Sequence, residues 1–160
     1  MKRLQIVVLS ALVGGVFACG GGEPSQESST SGDAPKSMVS EEPAATNDGT
    51  GVGEIKNVEL ANPLDQAMVK EGEGIYDMKC SACHKITDER VVGPGWASIT
   101  KRRKPEWIMN MITNVDVMLA EDPEAQKLLE ECLTRMPNQN VSVTEARSIL
   151  EFMRSNDGEK

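Results

Sequence analysis

Aromatic residues are scarce in this chain. Two Trp, two Phe and one Tyr make up 3% of it. That is too little for an ordinary core at 160 residues, and a large flat cofactor would supply the missing apolar mass. There is one histidine. A zinc site needs four ligands, and the only set on offer is His84 with Cys80, Cys83 and Cys132. Long apolar runs are also missing. The run from Leu4 to Phe17 falls short of the roughly 20 residues a spanning helix needs. Basic residues are outnumbered, 17 against 25 acidic, for a net charge of −8. Without Lys2 and Arg3 the balance is 15 against 25. Such a surface argues against nucleic acid as partner. It favours solubility, or docking to a basic patch. The length suits one small domain with extensions.

What is present centres on Cys80-Ser81-Ala82-Cys83-His84. Cys-x-x-Cys-His is the attachment signature of a c-type haem. Two thiols one helical turn apart share a face and can add to the two vinyl groups of one porphyrin. The following His84 then points its imidazole at the iron as proximal ligand. A thioredoxin-like dithiol would need a strand-helix-strand setting, and the pattern around Cys80 offers none.

The chain begins as a targeting segment. Lys2 and Arg3 precede the short apolar run, which ends Val16-Phe17-Ala18-Cys19-Gly20. This resembles the cleavage site of bacterial lipoproteins. The resemblance implies a signal peptide over residues 1–18 and lipid attachment at Cys19. The other reading is an ordinary signal peptide with Cys19 left free. Both readings take the chain out of the cytoplasm, and haem attachment to such a motif also takes place outside it. Residues 19–62 read as a linker. Gly20 to about Glu59 is rich in Gly, Ser, Thr, Glu and Pro, and cannot bury enough apolar surface to offset its ordering entropy. As a coil it spans roughly 35 Å. Ile55 to Leu60 is a candidate arm against the domain.

Pro63 opens the folded part. Leu64, Ala67, Met68, Ile75 and Tyr76 follow helical spacing, which predicts a helix from Leu64 or Asp65 to about Lys79 with Pro63 in its first turn. Pro105 starts a second helix through about Thr113. Pro123 starts a third to Thr134, capped by Asp122. A fourth, capped by Thr144, puts Ile149, Phe152 and Met153 on one apolar face. Lys101 to Lys104 is the one basic run. It reads as a patch for a partner or for haem propionates, or equally as a solvated turn. Cys132 reads as a small buried apolar residue, or as one partner of an intermolecular disulfide, since no other thiol is left for it.

Residues 63–156 resemble a class I cytochrome c, with 157–160 as a tail. The likeness rests on the haem motif, on Gly72 and Tyr76 eight and four residues before its first Cys, and on the C-terminal helix. It implies an all-α fold of about four helices around one covalent haem c. It implies that Pro94, in Gly93-Pro94-Gly95-Trp96, accepts a hydrogen bond from the imidazole, with Trp96 packing near the haem. It implies Met136, in Met136-Pro137, as the second axial ligand. Met109, Met111 and Met118 are its competitors. The expected function is a membrane-tethered carrier of single electrons on the periplasmic side of the envelope. Its expected partners are a respiratory donor and a terminal reductase or oxidase, nitrogen-oxide reductases among them. With both axial positions filled it is expected to be no enzyme. The rival readings are a haem enzyme, or a small-molecule sensor, with a vacant or displaceable sixth position.

Overall fold

The structure is a computed structural model and describes residues 48–160. The targeting segment, Cys19 and the first part of the linker lie outside the described residues. Among the described residues there are six helices and no strand. None of these helices is long and apolar enough to cross a membrane.

Helix α1 spans Gln66–Lys79. Asp65 caps it, its carboxylate accepting from the amides of Ala67 and Met68 at 2.9 and 3.1 Å. Pro63 therefore lies outside the helix rather than in its first turn. A side chain that accepts from the free amides holds a helix end better than a residue with no donor or acceptor to give. The helix runs into the haem motif: the Cys80 amide still donates to Tyr76 O.

Helix α6 spans Val143–Asn156 and packs across α1. Its cap is Ser142, not Thr144. The Ser142 hydroxyl accepts from the Glu145 amide, and the Glu145 carboxylate accepts from the Ser142 amide at 2.8 Å. This reciprocal pair needs Ser and Glu three residues apart; Thr144 has Arg147 at that distance. Ile149 and Met153 are buried as expected, and Phe152 packs 5.4 Å from the Tyr76 ring. On the same helix Glu151 is fully buried. Its carboxylate accepts one bond from Arg147, one from the Asp65 amide and two from Arg154. Four-fold hydrogen bonding of this kind is what keeps a buried charge tolerable.

Between these two lie α2 (Ile99–Arg102), α3 (Pro105–Thr113), α4 (Val115–Glu121) and α5 (Pro123–Cys132). The boundaries of α3 match the sequence reading. Helix α5 stops two residues early, because Leu133 turns into the left-handed region at φ 56°. The single turn of α2 and the two turns of α4 add to the expected four. Asp122 caps α5 as predicted, accepting from the Ala125 amide at 2.9 Å. It also accepts from the Trp107 indole at 3.0 Å, which ties α5 to α3.

Part of the stretch assigned to the linker is folded. Val52, Ile55 and Val58 pack against the core. Asn110, buried on α3, donates to Thr50 O and Ile55 O at 3.0 and 2.9 Å and accepts from the Ile55 amide at 3.2 Å. The Val58 amide donates to Glu106. The arm expected over Ile55–Leu60 thus starts several residues earlier. A side-chain amide that imitates a strand edge pairs the main chain of the segment, while its three apolar residues pack on the core.

Candidate functional site

The end of α1, the turn after it, α3, α5 and the segment before α6 enclose a cavity of about 410 Å³. Ile99, Ile108, Ile112, Leu128, Leu129 and Val141 give it apolar walls. Cys80, Cys83, His84, Pro94, Trp96 and Met136 all line it. The sequence scatters these six over 57 positions; the fold brings them to one space. Of the predicted site residues only Cys19 lies outside the described part.

Cys80 and Cys83 stand at the cavity wall and share no disulfide. Burial, opposed by Lys79, pushes the Cys80 thiol up to about 11. The Cys83 and His84 amides both return to Cys80 O, at 3.1 and 2.9 Å. That turn presents the thiols and the imidazole to the same space.

His84 Nδ1 lies 2.9 Å from Pro94 O. A carbonyl only accepts, so Nδ1 carries the proton and Nε2 keeps its lone pair free. Burial holds the imidazole below its ordinary 6.5, against the pull of the Pro94 bond. A neutral ring with a bare Nε2 is the form that ligates a metal. Gly93 makes room for it: a Cβ there would stand 2.3 Å from His84 Cε1. Trp96 is buried, with its ring 5.5 Å from His84.

The methionines separate by position. Met109 and Met118 are buried but do not line the cavity. The Met118 sulfur accepts from the Val52 amide at 3.1 Å. Met111, Met136 and Met153 line the cavity. Met111 and Met153 stand on helices, and Met136 stands on the segment between α5 and α6. Cys132, left as a buried apolar residue by the sequence, is half-buried and also lines the cavity. Within the basic run, Arg102 and Arg103 line it too. Arg103 pairs with Glu124 at 2.9 Å and lies 4.7 Å over the Trp107 ring.

The residues fit a haem. Two thiols and a neutral imidazole converge on an apolar cavity, and no side chain larger than hydrogen would be tolerated beside the imidazole at Gly93. Among the described residues no cluster of His, Cys, Asp or Glu suits another metal.

The cytochrome c family signature matches residues 69–157. No curated protein matches the chain. Among solved structures the chain is similar to cytochrome c from Rhodothermus marinus, at 37% identity, with 66% of this chain and 90% of that chain covered and a TM-score of 0.64. It is also similar to an engineered cytochrome c from the same organism, Rma TDE, at 36% identity, the same coverage and a TM-score of 0.63. A further structure of that engineered protein, bound to the carbene intermediate 1-ethoxy-1-oxopropan-2-ylidene, matches at 37% identity over the same shares with a TM-score of 0.61.

The last likeness corrects one expectation. Filled axial positions were taken to make the chain no enzyme. An engineered protein of this fold holds a reactive carbene, so the fold itself does not rule out bond-making chemistry. The expectations of an all-α fold and of one covalent haem c at Cys80 and Cys83 stand. With its signature matched over more than half of the chain, and a relative at 37% identity, the chain belongs to the cytochrome c family.

Proposed function

We propose that this cytochrome c is a membrane-tethered carrier of single electrons, with His84 and Met136 as the axial ligands of its haem. When bound, the haem supplies an iron that gains or loses one electron. The chain's own residues set the conditions. Pro94 O, 2.9 Å from Nδ1, keeps the imidazole in one tautomer and one orientation. Met136 offers a soft thioether, which raises the reduction potential. The apolar walls exclude water, so little solvent has to reorient when charge moves. The single observation that carries the ligation is the Met136 position: a cavity-lining methionine on a loop, while the Met118 sulfur is bound to Val52 elsewhere. The tether rests on Cys19 at the end of an apolar run and on the linker that follows. We place the domain on the periplasmic side of the envelope, between a respiratory donor and a terminal reductase or oxidase.

The test is optical. The holoprotein should show a reduced-minus-oxidised c-type spectrum and a weak near-infrared sulfur-to-iron band. Met136→Ala should abolish that band and Met118→Leu should leave it. A band that survives Met136→Ala overturns the assignment. For the tether, labelled fatty acid should enter the wild type and not Cys19→Ser; equal labelling overturns it.

The engineered relative with its bound carbene favours a second reading, in which a small molecule displaces Met136. Prompt carbon monoxide binding by the ferrous wild type would select it. Binding confined to Met136→Ala would select the electron carrier.

A further inference from the structure

Three successive carbonyls that begin at the histidine of the haem motif are held by three different parts of the chain. His84 O accepts from the Tyr76 hydroxyl of α1 at 2.8 Å. Lys85 O accepts from the Trp96 amide at 2.8 Å. Ile86 O accepts from Asn156 Nδ2 at the end of α6, at 3.0 Å. The Tyr76 oxygen also faces the Ile86 amide, and burial raises the phenol above its ordinary 10.0. It therefore stays a donor throughout the physiological range.

Tyr76 is only 7% exposed. Its ring packs 5.0 Å from Trp96 and 5.4 Å from Phe152. A buried phenol needs a hydrogen-bond partner, and packing alone would be served as well by phenylalanine. Here the hydroxyl is spent on the main chain of the histidine itself. Asn156 is exposed and belongs to no core, yet its amide reaches back 70 residues to the same turn.

We propose that Tyr76 and Asn156 are positioning residues for His84. They fix the main chain from which the imidazole projects, while Pro94 fixes the ring. This rests on His84 being the proximal ligand. The crossing of α1 and α6 then sets the plane of the axial ring, and through it the ligand field of the iron. The same crossing that holds the fold together would thus tune its metal.

The test uses the full-length ferric holoprotein with Tyr76→Phe, Asn156→Ala and the double variant. Ser142→Ala is the control, because it removes the α6 cap without touching the turn. Two readouts separate positioning from stability: the electron paramagnetic resonance g-values, and deuterium exchange at the His84 ring N–H. Tyr76→Phe and Asn156→Ala should each shift the g-values or add a second low-spin species. Ring N–H exchange should rise by roughly two- to tenfold, the factor for one lost hydrogen bond. Ser142→Ala should lower the melting temperature and move neither readout. Variants with wild-type g-values and exchange overturn the proposal, and so does a control that moves both equally. A wild type without a low-spin ferric signal overturns the Met136 assignment alone; ring N–H exchange then decides the proposal, and exchange unchanged in Tyr76→Phe and Asn156→Ala overturns it.

Discussion

Gly72 of α1 lies directly against the Ser148 carbonyl of α6: a Cβ built on Gly72 would stand 2.0 Å from that oxygen. The neighbour is backbone in the middle of a helix, so it cannot turn aside. The absence of one carbon sets how closely the two helices cross. The haem motif follows at the end of α1, so the same contact fixes where Cys80 begins.

Gly72→Ala should therefore lower the stability of the holoprotein by about 3 kcal/mol, the upper range for overpacking a well-filled contact. Urea unfolding followed by circular dichroism measures this. Gly74→Ala, an exposed change in the same helix, should instead gain about 1 kcal/mol; a similar gain at Gly72 would show that the helices can move apart freely. Nothing stands within 4 Å of the Cβ built at Gly74.

Gly93→Ala should act on the iron rather than on the fold. The added carbon would meet His84 Cε1 at 2.3 Å and Nδ1 at 2.7 Å. The ring would have to leave its bond to Pro94. The ferric spectrum should lose most of its low-spin character, while far-ultraviolet circular dichroism stays close to wild type. An unchanged spectrum would mean that the loop, not the ring, yields.

Asn110→Ala should release the strap over residues 48–58. It removes three hydrogen bonds that imitate a strand edge. Stability should fall by about 2 kcal/mol. Amide exchange at Ile55 should quicken, and proteolysis of the strap should precede that of the helices. The visible spectrum should not change, because Asn110 does not line the haem cavity.

Glu151 should make the fold acid-sensitive. Burial opposes its charge, but bonds from Arg147, the Asp65 amide and Arg154 prevail and hold the carboxyl below its ordinary 4.5. In the unfolded chain the group protonates near 4.5; in the fold it does so only at lower pH. Its contribution is thus complete above pH 4.5 and is lost as the pH falls through the folded value. Glu151→Gln should remove that part of the pH dependence. At neutral pH it should cost about 1–3 kcal/mol, because the charge-assisted bonds from the arginines weaken while Arg154 keeps its pair with Glu159 at 2.7 Å and Arg147 keeps access to water. Denaturant midpoints measured from pH 3 to pH 7 for both proteins check the slope and the offset together.

The helices were legible where the sequence carries both a cap and a period. Asp122-Pro123 and Pro105 announce α5 and α3, and the apolar face of α6 is plain. The start of α6 was legible too, in Ser142-x-x-Glu145, although Thr144 was the residue first taken for the cap. Helix α4 was not read. Its buried residues Val115, Met118 and Leu119 keep helical spacing, but a two-turn segment gives too short a run for a period to stand out. The strap was misjudged for a different reason. Its composition is that of a linker, and what orders it is a set of partners about fifty or more residues away, Asn110, Glu106 and Met118, with Val52, Ile55 and Val58 on the core.

The sequence by itself determined the chemistry. Cys80, Cys83 and His84 are local, and their roles follow from spacing along one turn. The tertiary structure settles that Met118 turns to the strap while Met111, Met136 and Met153 line the cavity, and what Tyr76 does with its hydroxyl. These are choices between side chains of the same kind. Composition and period are blind to them; only the meeting of distant segments, within reach of a hydrogen bond, tells them apart.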